Sequence, residues 1–224
     1  MAYRYETHMH TAEGSLCASA TGAEMAHAHK EKGYTGIFVT NHFFNGNTTV
    51  PRDLPWQERI ELFCKGYENT LKEGEKIGLD VFFGFEYCYQ CMDFLVYNLD
   101  KQWLLAHEDI DIWEPRKAFA QMREDGGFIV HAHPFRDWGY VDHIQLFPKD
   151  IDGVEAINGA HQDPRLNERA ALYAKMYDLP VTAGSDSHHL SSLFGCGIET
   201  ETPIREPLDY LRLMKAGEIR LLGK

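Results

Sequence analysis

The chain has 224 residues, 44% of them hydrophobic, with 22 basic against 34 acidic side chains and a formal net charge of −12. That length suits a single domain with a large core, and the acidic balance disfavours long nucleic acids as partners, because a polyanion is repelled unless positive charge is gathered locally. No apolar run reaches membrane-spanning length and no basic-plus-apolar leader opens the sequence, so a cytoplasmic protein without membrane contact is expected; the five cysteines, odd in number and set in apolar or helical patterns, suit a reducing compartment rather than a disulfide framework.

In chain order, a strand is expected at "AYRYETH". Thr21 and Glu24 then have capping-box spacing and Gly33 follows, which predicts a helix from the low twenties to Lys32. "YTGIFVTNH" reads as a buried strand. Ile60, Phe63, Tyr67 and Leu71 recur at helical spacing between Trp56 and Ile77, and Gly78 ends that pattern. "LDVFFGFE" is the next strand, with "DFLVYNL" as its hairpin partner. "EPRKAFAQMREDGG" predicts a helix with Pro115 in its first turn. The strand "FIVHAHP", the strand "DGVEAIN", the helix "RLNERAALYAKMYDL", the strand "PVTAGSDSHH" and the closing helix "EPLDYLRLMKAG" complete the series.

About seven strands, apolar on both faces and alternating with helices, predict an α/β fold with a parallel sheet covered by helices. A barrel and an open doubly wound sheet both satisfy this pattern. No strand-to-helix junction carries the glycine-rich fingerprint that would favour the open sheet as a nucleotide binder.

The informative feature is what ends the strands. His8 and His10 end the first, His42 the second, Glu86 the third, His133 a later one, and Asp186 with His188 the last. In parallel α/β architectures the carboxyl ends of the strands converge on one face. Residues i and i+2 of an extended chain point the same way, so His8 with His10, and Asp186 with His188, can enter one site. Mixed imidazole and carboxylate donors suit zinc, iron or manganese. A single His-x-His reads equally well as a polar loop; repetition at five strand ends does not.

The ordered set "HMHT", "VTNH", "GFE", "HPFR" and "GSDSHH", spread over nearly the whole chain, resembles the PHP (polymerase and histidinol phosphatase) family of metal-dependent phosphoesterases. The resemblance implies a distorted (β/α)7 barrel holding two or three divalent ions, with a metal-activated hydroxide attacking phosphorus. It implies that His8, His10, Glu86 and Asp186 surround one ion, that Glu86 bridges to a second held by His133, and that His42 and His188 hold a third. The chain departs from the usual pattern at three places. After His-x-His the comparable ligand is Glu13; after the bridging glutamate it is Asp93, with Cys91 a weaker candidate; and Asn41-His42 stands for Asp-His. Three divalent ions offset by Glu13, Glu86, Asp93 and Asp186 leave a local charge near about +2, which complements a phosphomonoester dianion inside an acidic protein.

Glu86 and Asp186 are thus expected to be catalytic, and Arg136, three residues after His133, reads either as a bidentate phosphate ligand or as a salt-bridged loop arginine. His161 and His189 are expected to face substrate, His131 to support the ligands, and His27, His29, His107 and His143 to lie mostly at the surface. Cys88-x-x-Cys91 lies between two strands and reads as packing or a hairpin rather than a redox pair. The expected function is hydrolysis of a small phosphorylated metabolite such as a nucleotide or a sugar phosphate. The alternatives are an amidohydrolase, although no strand here ends in the lysine that family commonly uses, and a non-catalytic metal-binding module, whose mark would be lost ligands.

Overall fold

A computed structural model of the chain describes residues 2–223. Seven strands form a barrel wall: β1 (Tyr3–Met9), β2 (Gly36–Val39), β3 (Asp80–Tyr89), β4 (Met92–Tyr97), β5 (Phe128–Ala132), β6 (Gly153–Asn158) and β7 (Val181–Gly184). They are hydrogen-bonded in that order. The wall closes where β7 returns to β1: Thr7 Oγ1 donates to the carbonyl of Ala183 at 2.7 Å, and His10 N donates to the carbonyl of Ser187 at 2.8 Å. The result is the expected distorted (β/α)7 barrel.

Two features differ from an all-parallel reading. β4 runs antiparallel to both β3 and β5, while β1 to β3 and β5 to β7 run parallel. The reversal is made by Gln90 and Cys91, both at positive φ (47° and 64°), in a two-residue hairpin turn that leaves Cys88 and Cys91 as free thiols. Two short strands, β8 (Gly197–Thr200) and β9 (Ile219–Leu222), also extend the sheet antiparallel beside the first half of β1.

The helices follow the predicted caps. α1 (Gly22–Glu31) has a full capping box between Thr21 and Glu24. The long apolar pattern after Trp56 is two abutting helices, α2 (Trp56–Phe63) and α3 (Lys65–Ile77), the second ended by Gly78 at φ 68°. α4 (Lys101–Ala106), α5 (Pro115–Glu124), α6 (Pro164–Met176) and α7 (Pro207–Ala216) complete the set. Among the described residues no helix is long and apolar enough to cross a membrane.

Inside the barrel, Phe82, Leu95, Tyr97, Phe128 and Val130 pack with Tyr210, Leu213 and Met214 of α7. Tyr97 and Tyr210 satisfy their hydroxyls on the Thr7 carbonyl (2.7 Å) and Thr182 Oγ1 (2.5 Å). This apolar plug fills one end of the barrel, and because side chains alternate along a strand, the face of β3 that carries Phe82 carries Glu86 at the other end. The polar site is therefore confined to the end where the strands finish.

Candidate metal centre

The structure brings His8, His10, His42, Glu86, Asp93, His133, Asp186 and His188 into one cluster. Four groups of three have their donor atoms within 4.8 Å of one another: His8, His10 and Glu86; His8, His133 and Asp186; Glu86, Asp93 and His133; and His10, His42 and His188. Glu86 lies at the middle. Its Oε1 is 3.2 Å from both His8 Nε2 and His133 Nε2, and its Oε2 is 3.4 Å from His10 Nε2 and 2.7 Å from His42 Nδ1. Asp186 Oδ1 lies 3.4 Å from His8 Nε2 and 3.3 Å from His10 Nε2.

Proton bookkeeping shows what these donors face. The His8 Nδ1–H donates to Glu155 Oε1 at 2.9 Å, which turns Nε2 toward the carboxylates of Glu86 and Asp186. Ser15 gives its proton to Asn41 Oδ1 (3.1 Å) and so accepts from His10 Nδ1 (3.0 Å), which aims the His10 Nε2 lone pair at the same point. His42 Nδ1 and Glu86 Oε2, although 2.7 Å apart, are misaligned, and neither finds a hydrogen-bond partner among the described residues. Carboxylate oxygens and imidazole nitrogens gathered in a buried space are stable only with positive charge among them, supplied by ring protons or by metal ions. The donor set fits two or three divalent ions.

The electrostatics agree. Burial alone would raise the carboxyls of Glu86 and Asp186, but the surrounding His42 and His8, and for Asp186 His8 and Arg136, hold both well below the usual carboxylate range. Burial alone would lower His8, yet Asp186, Glu155 and Glu86 raise it well above the ordinary histidine value. Burial and the neighbouring rings of His188 and His42 keep His10 neutral. Burial and the Glu86 charge raise Asp93. Two of the clustered residues sit in left-handed backbone, Asp186 at φ 54° and His133 at φ 28°, a strain that persists where surrounding structure fixes it.

A cavity of about 670 Å³ opens over the cluster, walled by His42, Asp93, Arg136, Asp186 and His188. Arg136 is buried; its Nη2 donates to Asp186 Oδ2, its Nε has no hydrogen-bond partner among the described residues, and Trp138 covers its guanidinium at 4.2 Å. His189 lines the mouth, its Nδ1 paired with Ser19 Oγ at 2.7 Å. His161 holds Asn167 Oδ1 through Nδ1 at 2.8 Å, and its ring lies 6.4 Å from that of His133.

Three sequence readings change. Glu13 is not brought to the cluster: both its oxygens accept from Gly22 N (3.0 and 3.2 Å), at the amino terminus of α1, and Oε1 also accepts from Asn69 Nδ2. The Thr11 carbonyl accepts from Gly14 N and Ser15 N, and this tight turn carries residue 13 outward. His131 does not support the ligands; it stacks on Phe94 in the outer core, and burial lowers it to about 3. His29 is buried rather than at the surface, its Nδ1 donating to the Met25 carbonyl and its Nε2 3.7 Å from Glu6.

Two functional residues escape the sequence reading. Glu155 of β6 is fully buried and holds His8 Nδ1, the His133 amide (3.0 Å) and Asn158 (2.9 Å); its signal is a carboxylate within the apolar strand "GVEAIN". Cys17 lines the cavity, and the nearby His42 and His188 outweigh its burial and lower the thiol to about 6.

Residues 164–219 match the family described as PHP-associated. Over 155 residues the chain is 25% identical to the uncharacterized protein MJ1587 of Methanocaldococcus jannaschii, covering 69% of this chain and 75% of that protein. Its fold superposes, with a TM-score of 0.72 and 14% identity, on a two-domain protein of Bacteroides vulgatus containing a predicted PHP-like metal-dependent phosphoesterase; the match covers 100% of this chain but 65% of that protein's length. It also resembles an amidohydrolase of Chromobacterium violaceum, with a TM-score of 0.57 and 14% identity over 97% of this chain and 98% of the other.

Proposed function

We propose that this chain, whose fold and carboxy-terminal segment are those of the PHP domain family, is a metal-dependent phosphoesterase that hydrolyses a small phosphorylated metabolite, a phosphomonoester such as a nucleotide or sugar phosphate. The observation that carries this reading is the clustering of eight ligand-type side chains around the Glu86 carboxylate, with Glu86 Oε2 and His42 Nδ1 lacking a hydrogen-bond partner among the described residues. The described Bacteroides domain lends it support.

When bound, two or three divalent ions would lower the pKa of a water and polarise phosphoryl oxygens. The chain's own residues do the rest. Glu86 and Asp186 fix the ion positions and keep their negative charge near neutral pH. Arg136, charged and buried at the cavity wall, offers guanidinium N–H groups to a phosphate oxygen. His189, which lines the cavity, would contact the rest of the substrate, whereas His161 lies behind the cavity wall and would act through its neighbours. The half-exposed rings of Trp138, Tyr140 and Phe194 bound the cavity and offer apolar surface to the rest of the substrate. A small occupant suits the enclosed volume and the acidic surface.

The test is metal analysis of the purified protein with phosphomonoesters, phosphodiesters and amides assayed in parallel. Phosphate release from a monoester is expected. A full metal complement with no ester hydrolysed would sink the proposal, and amide turnover would favour the amidohydrolase reading, which the Chromobacterium likeness keeps in play. Glu86→Gln is expected to lose at least one ion and to lower kcat/KM by more than the roughly 10–100-fold typical of a supporting group; wild-type metal content and rate would remove Glu86 from the bridge.

A further inference from the structure

The first strand carries an irregularity on which the metal centre depends. Against β2, Glu6 is paired with Ile37 and Met9 with Val39, three steps along β1 to two along β2, so β1 holds one residue more than the ladder requires. The side chains record the extra step. Tyr5 and Met9, four apart, would share a face in an unbroken strand, yet Tyr5 packs inside the barrel with Phe82 and Met9 packs outside it with Met25 and Ala26 of α1. Without the added residue, a strand that keeps Tyr5 inside would turn Thr7 and Met9 inward and carry His8 and His10 out toward α1.

Where the ladder is interrupted, side chains and a neighbouring strand end take up its backbone groups. Glu6 Oε1 accepts from His8 N, two residues on, and from Ser185 N, just past the end of β7, each at 2.9 Å. Met9 N donates to Thr40 Oγ1 at 3.1 Å, and the Met9 carbonyl accepts from Thr40 N at 2.9 Å. Glu6 is fully buried; its Oε2 makes no hydrogen bond among the described residues and stands 3.7 Å from Nε2 of the buried His29 on α1. One oxygen thus fixes the backbone at His8 and at the residue before Asp186, on the two sides of the seam between β1 and β7.

We propose that Glu6 is a positioning residue of the metal centre: its Oε1 holds the extra residue of β1 in place, which turns His8 and His10 inward, and ties that bend to the segment carrying Asp186. The inference rests on the metal-dependent reading above. Glu6 acts on the ligands through the amides of His8 and Ser185 and not as a donor to an ion. What the role requires is an acceptor, so glutamine, which keeps that oxygen, should serve. Leucine, of similar size, should not, because it leaves two buried N–H groups without a partner.

Zinc affinity, measured by chelator competition at a temperature where circular dichroism shows each variant folded, tests this. Glu6→Leu is expected to weaken zinc by roughly 10–100-fold, the usual cost of losing a group that orients a ligand, and to shift the visible bands of bound cobalt(II); Glu6→Gln should keep wild-type affinity and bands. Met25→Ala thins the packing of α1 on the same stretch of β1 and leaves the Glu6 bonds in place, so it should lower Tm without changing zinc affinity. Wild-type affinity in Glu6→Leu, an equal loss in Glu6→Gln, or an equal loss in Met25→Ala overturns the proposal. Should Glu6→Leu not fold, Glu6→Gln decides: the amide proton resonances of His8 and Ser185 should both move when the carboxylate becomes an amide while zinc affinity holds, and an unmoved pair or a lost affinity overturns the assignment. A wild type that binds no zinc overturns the metal centre and the part of Glu6 in it together. Zinc affinity that depends on Glu6 in a protein that hydrolyses no ester sustains the positioning and removes only the phosphoesterase.

Discussion

At the scale of single residues, the site is a set of imidazoles whose tautomers are chosen by what stands behind them. Glu155 is the main chooser: it takes the His8 Nδ1 proton and also holds the backbone at His133. Its negative charge helps raise His8 well above the ordinary histidine value, after burial alone would have lowered it. A metal ion at Nε2 must displace the second ring proton while the Nδ1–H stays on Glu155, so affinity should fall as pH drops below the raised value and level off above it. Glu155→Gln removes the charge and weakens the orientation together. Its affinity plateau at high pH should be about 10–100-fold lower, and its decline should begin at a lower pH than in the wild type, both read by chelator competition across pH. A variant curve parallel to the wild type and merely offset would mean that Glu155 acts on packing and not on the His8 proton. The ligands at strand ends are legible in the sequence because a strand makes i and i+2 neighbours and a barrel makes its strand ends converge. The outward course of Glu13 is not, because it depends on the Thr11–Ser15 turn and on backbone bonds from the same loop to distant ones.

At the scale of elements, Glu13 serves α1. Its carboxylate accepts from Gly22 N at the helix amino terminus and from Asn69 on α3, so it fastens two helices and complements the α1 dipole. Glu13→Gln should therefore cost about 0.3–1 kcal/mol of stability while leaving metal content and activity at wild-type levels; loss of an ion in this variant would return Glu13 to the site. The helices themselves are legible because their stops are local chemistry, Thr21 with Glu24 at one start, Pro115 at another, Gly78 at one end. The hairpin of β3 and β4 is legible as a pair of apolar runs, but the pairing of β4 with β5 is not, since α4 and α5 intervene and a run buried on both faces carries no sign of direction. β8 and β9 escape the sequence reading because each has four residues and lies among glycines, and β9 is partly exposed at the sheet edge. The same locality explains Gly184. A Cβ there would stand 2.5 Å from His8 Cβ and 2.7 Å from Glu155 Oε1, so β7 approaches β1 only because this residue has no side chain.

At the scale of the molecule, the ions would close what the sheet closes weakly. β7 and β1 meet through a single isolated bridge, Met9 with Ser187, and a few bonds around it, whereas β3 and β4 share six paired positions. His8 and His10 stand on one side of that seam, Asp186 and His188 on the other, and Glu86 with His42 reaches both from across the barrel. Without a cation the same space holds Glu86, Asp93, Glu155 and Asp186 buried together in a chain already at −12. Ions that bind this geometry and not the unfolded chain add stability by mass action, about 2.7 kcal/mol for one ion at a hundred times its Kd, or roughly 5–10 °C of Tm for a chain of this size. Chelation should lower Tm by at least that amount, and readdition of zinc or manganese should restore it. Because the ions span the seam, amide exchange in the chelated protein should rise first in β7 and the second half of β1, and least in β4, which is paired on both sides. A Tm indifferent to both chelator and metal, or exchange that rises evenly around the barrel, would mean that the cluster is held by its own hydrogen bonds and that no ion links β7 to β1.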